Sequence, residues 1–331
     1  MNSTDKPFRA YLVDQSKQGS LVDLHVDDLP AGEVLIRASH SSLNYKDALA
    51  ATGHPGVART LPHIPGVDVA GTVESSSDDR FQPGDAVFVT GYELGAPRWG
   101  GWSQKVRVPA DWVIPIPRRV TPSEVMALGT AGFTAAQCVS AIQLHDIGPD
   151  DGEVLVTGAS GGVGSTAVAL LAKLGYQVAA VTGKEDHHQQ LRDWGASRVL
   201  PRETIDTTSD KPLLKSLWAA AVDTVGGNVL AGVIKQLKQR GCVAACGNVA
   251  GVDLPLTVFP FILRGVKLDG IDSAQCPRNA RMIIWEKLFG SWKLEGIADH
   301  TTTVPLTGID EYVQKILKGQ ISGRVVVDLN A

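Results

Sequence analysis

The sequence predicts an α/β protein in which an all-β module carries an inserted, doubly wound parallel sheet. Three observations predict it. Up to about residue 124, short Val- and Ile-rich runs alternate with Gly, Pro and Asp. From 125 to about 290, strand-like and helix-like segments take turns. The last strand-like run has no strand–helix unit after it, so it is expected to return to the first module. The expected domains are therefore 1–124 with 300–331, and 125–299. A chain of 331 residues can bury two cores.

In the first module the expected strands are EVLIRAS at 33–39, VDVAGTVES at 67–75, DAVFVTG at 85–91 and SQKVRVP at 103–109. Their β-branched residues suit a pleated, half-buried surface, and Pro65-Gly66, Pro83-Gly84 and Gly100-Gly101 supply turns. EVLVTG at 153–158 then opens the second rhythm, followed by small, helix-favouring residues over 165–174. QVAAVT at 177–182 is the next strand, 187–194 a helix, and Val199-Leu200 part of a third strand. A fourth strand ends over 219–225, a helix covers 229–239, and GCVAAC at 241–246 is the fifth strand. Such near-continuous apolar strands fit a parallel sheet covered on both faces and joined by right-handed crossovers. In the tail, TTVPL at 302–306 and GRVVVDL at 323–329 flank a helical 309–317.

Charge and cysteine content narrow the function classes. The 35 acidic and 31 basic residues leave a net charge of −4, without the basic excess of a general nucleic-acid binder. Four scattered cysteines do not make a disulfide scaffold. The first residues, MNSTDKPFRAYLVD, lack the apolar core of a signal peptide, and no run approaches eighteen consecutive apolar residues. The expectation is a cytoplasmic protein with no membrane and no nucleic-acid partner.

The strongest local signal is VTGASGGVGS at 156–165, which follows a strand and opens a helix. First-turn N–H groups and the helix dipole hold a pyrophosphate there, and glycine lets the backbone come close. Ser160, Gly161, Gly162 and Val163 are the expected contacts, Ser160 adding a hydroxyl. The end of the second strand tells NADH from NADPH, because an acid there would bind a ribose 2′-OH and repel a 2′-phosphate. This strand ends Thr182-Gly183-Lys184, a hydroxyl and an ammonium, with Arg202 as a second cation after the third strand. Glu185 and Asp186 follow too late to replace them. NADPH is the expected cofactor.

Metal and nucleophile readings fare worse. Residues 1–137 contain no cysteine, and the eight histidines, His145 among them, show no ligand spacing, so no metal is expected. Gly158-Ala159-Ser160-Gly161-Gly162 matches a nucleophile elbow literally, but a hydrolase requires neither the further Gly164 nor Thr-Gly-Lys. The glycine run also fits the opening of short-chain dehydrogenases. About 150 residues precede it here, and neither Tyr176 nor Tyr312 has a Lys four residues on.

Taken in order, Ser42-Leu43-Asn44-Tyr45-Lys46-Asp47, the run Ile64 to Gly71, Pro83-Gly84-Asp85, Gly100-Gly101 and Gly129-Thr130-Ala131-Gly132 precede the glycine-rich strand–helix. AVDTVGG at 221–227, GCVAACG at 241–247, PFILRGVKLDGIDS at 260–273 and GRVVV at 323–327 follow it. Across essentially its whole length the sequence resembles the zinc-free, quinone-oxidoreductase-like branch of the medium-chain dehydrogenase/reductase superfamily, within the subgroup that holds NADPH-dependent acrylyl-CoA reductases and proteins labelled putative quinone oxidoreductases. The resemblance implies a GroES-like β-barrel module with an inserted Rossmann domain. It also implies homodimers joined through the edge strand VKLDGID at 266–272.

The activity implied is NADPH-dependent reduction of an activated C=C bond, acrylyl-CoA to propionyl-CoA. A quinone reductase of the same fold, or a non-catalytic nucleotide sensor, are the alternatives. Zinc-dependent relatives place a Cys ligand near Asn44-Tyr45, where this chain has none. Tyr45 brings a phenol suited to donating a proton to substrate or to hydrogen-bonding the nicotinamide or its phosphates, and both roles stay open. By family position, Asn248, Ile262 and Ser273 line the nicotinamide, while Arg324 and Asn44 are implied substrate contacts. Arg98 and Trp99 are further candidates for substrate contact, and Arg98, Arg118, Arg119, Arg278 and Arg281 are candidate cations for CoA phosphates.

Overall fold

The computed structural model describes residues 6–205 and 207–331. In chain order it forms β1 (Phe8–Val13), β2 (Gly19–Leu24), β3 (Val34–Leu43), α1 (Tyr45–Ala51), β4 (Asp68–Ser76), β5 (Ala86–Thr90), β6 (Lys105–Val108), β7 (Ile114–Pro115) and α2 (Pro122–Leu144). There follow β8 (Val154–Val156), α3 (Gly162–Lys173), β9 (Val178–Val181), α4 (His188–Asp193), β10 (Arg198–Leu200), β11 (Trp218–Asp223), α5 (Gly227–Gln236) and β12 (Leu237–Ala245). The chain ends with α6 (Phe259–Arg264), β13 (Lys267–Gly270), α7 (Arg278–Phe289), β14 (Thr301–Pro305), α8 (Ile309–Leu317) and β15 (Arg324–Asp328).

Two units divide the chain: Met1–Thr130, Ala274–Ile283 and Glu295–Ala331 form one, Ala131–Ser273 and Ile284–Leu294 the other. In the first, a seven-stranded sheet runs β14-β15-β3-β4-β5-β7, with β6 also paired to β3. The return strand β15 lies antiparallel to β3, Val326 opposite Ser42. Val34, Ile36, Val69, Val73, Val87 and Val89 are buried in its core, as period-2 alternation requires. The β1–β2 hairpin, which the sequence reading did not anticipate, pairs as its own two-stranded sheet.

Residues 274–283 were expected with the parallel-sheet domain, yet they join the first unit. Tyr92 N–H donates to the Ala274 carbonyl at 2.8 Å, and the buried Arg281 donates to the Thr90 carbonyl at 2.7 Å.

The second unit is a six-stranded parallel sheet, β10-β9-β8-β11-β12-β13. Counted from β8, that order is 3-2-1-4-5-6, and the direction of winding reverses between β8 and β11. Strands β8, β9 and β11 are buried along their full lengths, which explains their unbroken apolar sequences. The expected helix at 229–239 is α5, which starts earlier at Gly227 and gives way to β12 at Leu237. Strand β13 is an edge of this sheet, as the sequence implied for 266–272. Helix α2 was not foreseen. It is long and apolar enough to match a membrane span, but 83% of its most apolar stretch is buried within the protein.

Candidate functional site

In the second unit the site forms where β8, β9 and β11 end. Gly158 leaves β8 with φ of 57°, in the left-handed region that glycine occupies without strain. A Cβ on Gly164 would stand 2.3 Å from the Gly158 carbonyl oxygen, so only glycine lets α3 start this close to the strand. Gly161 is the N-cap, and α3 begins at Gly162-Val163-Gly164 with acceptor-free first-turn amides of the kind that bind phosphate.

At the end of β9, Ser160 and Thr182 hydroxyls share a hydrogen bond of 3.1 Å, and Thr182 Oγ1 accepts from the Lys184 N–H at 3.1 Å. Burial, and then the charge of Arg202, pull the Lys184 ammonium below its usual pKa. Two cations this close are held against their own repulsion, which an anion between them would relieve. Thr182, Gly183, Lys184 and Arg202 are thus brought together as the sequence required.

Across the switch point, the buried Asp223 fastens β11 to β8. Its Oδ1 accepts from Thr157 Oγ1 at 2.7 Å and its Oδ2 from the Gly226 N–H at 2.7 Å, while burial raises its pKa against those donors. Sequence reasoning missed this pair, although TG at 157–158 and DTVGG at 223–227 carry it. Asn248 lies exposed in the turn after β12, its Cα 2.9 Å from where a Cβ on Gly226 would be. Ile262 is 67% exposed on α6, and Ser273 follows β13, half-buried.

In the first unit a buried polar network surrounds the start of α1. Asp68 accepts from Ser42 Oγ at 2.5 Å, Asn44 Nδ2 at 2.9 Å and Thr130 Oγ1 at 2.6 Å, and from the Thr130 N–H at 2.9 Å. Arg324 is 4% exposed and is not the surface arginine that a strand start would give. Its guanidinium donates to the Ala127 carbonyl at 2.9 Å and to Asn44 Oδ1 at 3.1 Å. Asp47 Oδ2 caps α1 by accepting the Asn44 N–H at 2.7 Å, and its Oδ1 accepts the Val67 N–H at 2.7 Å. Burial, and then the nearby Asp68, raise the Asp47 carboxyl to about 7.

The space for this network comes from Gly129, where α2 kinks at φ of 51°. A Cβ there would lie 2.6 Å from Asp68 Oδ2 and 2.7 Å from Arg324 Nη2. Tyr45 is the first residue of α1 and 42% exposed.

The arginines suggested for CoA phosphates fare differently. Arg281 is fully buried and bonded to carbonyls, which removes it from that role. Arg278 donates to the Val113 carbonyl at 3.1 Å, Arg98 donates to the Ala31 carbonyl, and only Arg118 and Arg119 of the set are exposed. Trp99 Nε1 donates to the Pro62 carbonyl at 3.0 Å.

Comparison with known proteins agrees with this layout. A family model described as "Alcohol dehydrogenase GroES-like domain" matches residues 30–118, and one described as "Zinc-binding dehydrogenase" matches residues 162–284. The chain is 46% identical over 332 residues to acrylyl-CoA reductase AcuI of Ruegeria pomeroyi, covering 98% of this chain and 100% of that protein. It is 43% identical to a Bacillus subtilis protein named "Putative quinone oxidoreductase YhfP", over 95% of this chain and 97% of that one. Among solved structures, the yhdH oxidoreductase from Salmonella enterica in complex with NADP matches with a TM-score of 0.94 at 46% identity, covering 97% of this chain and 100% of that one. Bacillus subtilis yhfP with NAD bound gives 0.94 at 41% identity, covering 98% and 100%.

Proposed function

Because the chain belongs to the medium-chain dehydrogenase/reductase superfamily, as its full-length likeness to acrylyl-CoA reductase AcuI shows, we propose that it is an NADPH-dependent reductase of activated carbon–carbon double bonds, converting acrylyl-CoA to propionyl-CoA. The observation that carries the reading is the Lys184–Arg202 cation pair at Gly183, beside the open first turn of α3. Those residues fit NADPH: the amides of Gly162, Val163 and Gly164 open α3 without a side-chain cap, and the cation pair answers a 2′-phosphate.

Bound NADPH supplies a hydride to the β-carbon of the conjugated double bond, and a proton completes the α-carbon. The chain's own residues bind and position. The amides of Gly162, Val163 and Gly164, with Ser160 and Gly161, hold the pyrophosphate. Thr182, Gly183, Lys184 and Arg202 hold the 2′-phosphate, and Asn248, Ile262 and Ser273 face the nicotinamide. Tyr45 offers an exposed phenol as hydrogen-bond and proton donor. Asn44 and Arg324 spend their donors on Asp68, Asp47, Ser42 and backbone carbonyls, so they position the start of α1, and with it Tyr45.

Zinc takes no part in this reading, since residues 1–137 offer no cysteine ligand. The chain's edge strand β13 supports a homodimer, and four cysteines outside any disulfide support a cytoplasmic enzyme. Light scattering on the wild type and on a Leu268→Pro variant tests the dimer, which that variant should weaken.

The decisive measurement is NADPH oxidation with acrylyl-CoA against 1,4-naphthoquinone. A higher kcat/KM for acrylyl-CoA is expected. The likeness to YhfP favours a quinone as the second reading, and the reverse ranking would establish it.

A further inference from the structure

The dinucleotide site occupies the carboxyl ends of the second unit's strands. A different cluster forms on one face of β12 and the edge strand β13. Cys242 of β12 lies in register with Ala220 of β11, which in turn pairs with Val154, the first residue of β8. On the other side Cys242 pairs with Lys267 and Ala244 with Asp269, so Cys242 and Asp269 share one face of neighbouring parallel strands. His145, just beyond the end of α2, reaches the same face, its Nε2 2.9 Å from Asp269 Oδ2 although the two are 124 residues apart in sequence. The His145 ring nitrogen, the Cys242 sulfur and the Asp269 oxygen all lie within 4.8 Å of one another, the one such group of three or more among the described residues.

We propose that His145, Cys242 and Asp269 form a binding site for a divalent transition metal of the zinc class, separate from the dinucleotide site. Sulfur, imidazole nitrogen and carboxylate oxygen together select zinc over calcium or magnesium. Bond lengths typical of these donors place tetrahedral ligands about 3.3–3.7 Å apart, so the His145–Asp269 hydrogen bond opens by a few tenths of an ångström to admit the ion. Cys242 is fully buried, whereas the His145 and Asp269 side chains are 28% and 33% exposed, leaving a path inward and a place for water as fourth ligand.

The charges close as well. Without metal, Cys242 is a fully buried thiol. Metal binding breaks the S–H bond, releases that proton to solvent, and forms a metal–thiolate bond. Thiolate and Asp269 carboxylate then neutralise the dication, with His145 binding through its neutral ring. The ion would join the end of α2 to β12 and to the edge strand β13, a structural cross-link rather than a reaction centre.

Cobalt(II) titration of the full-length protein tests the site, since cobalt reports thiolate ligation by a near-ultraviolet charge-transfer absorption. One equivalent should develop that band, zinc should erase it, and zinc should raise the Tm. Cys242→Ala should abolish the band and weaken cobalt binding by about 100-fold or more. The more exposed His145→Gln should keep the fold and weaken binding while retaining a shifted band. Cobalt binding without the charge-transfer band, or binding unchanged in both variants, would overturn the proposal. NADPH oxidation measured in parallel separates this outcome from the fate of the reductase reading.

Discussion

Arg202 lies against the backbone of Gly183 so closely that a Cβ on Gly183 would stand 2.5 Å from its Nε. Glycine at that position admits a second cation beside Lys184, whose ammonium burial and then Arg202 pull below its usual pKa. Lys184→Glu should therefore raise the KM for NADPH by about 10- to 100-fold, the worth of a charge-assisted hydrogen bond. The KM for NADH should change little. Equal changes for both cofactors would refute the 2′-phosphate assignment.

Gly129→Ala should destabilise the protein by about 2–4 kcal/mol, because it combines a left-handed backbone with a methyl group pressed onto Asp68 and Arg324. Urea unfolding measures the loss. Unchanged stability would mean that the kink does not govern the network.

Asp47 makes stability depend on pH. Its folded carboxyl titrates near 7, against an ordinary value of 3.8, because of burial and then Asp68. Between those values the folded chain keeps a proton that the unfolded chain has lost. This contribution is full below about pH 4 and falls away as pH rises to 7, by up to about 1.4 kcal/mol per pH unit. Asp47→Asn should lose about 1–3 kcal/mol through an imperfect cap, yet show a flatter stability–pH profile over that window. Denaturation curves at several pH values compare the two, and parallel profiles would contradict the assignment.

Dialysis against a chelator should leave NADPH-dependent turnover unchanged while removing any ion held by His145, Cys242 and Asp269, which would register as a lower Tm. Loss of turnover restored by zinc would place a metal in the reaction.

Much of the dinucleotide site was legible because its parts are local. VTGASGGVGS holds a strand end, a turn and a helix start within ten residues, and Thr182-Gly183-Lys184 is contiguous. The Thr157–Asp223 bond was invisible because a hydroxyl and a carboxylate 66 residues apart leave no spacing pattern. Helix α2 escaped notice because its small residues, buried almost all round, show no amphipathic stripe, and Gly129 interrupts it.

Alternating and continuous apolar runs, with glycines where the backbone must reverse, are properties of neighbouring residues, so the sequence alone determined two kinds of sheet, a glycine-rich turn that opens a helix, and the cations near it. Which carboxylates are buried together was decided only in three dimensions. Asp68, Asn44, Thr130 and Arg324 meet because β15 returns antiparallel to β3 and α2 bends at Gly129. His145, Cys242 and Asp269 meet because two parallel strands in register bring their faces under the end of a helix. Desolvation and electrostatic pairing depend on distances through space, and a linear order of residues does not specify these until the chain has packed.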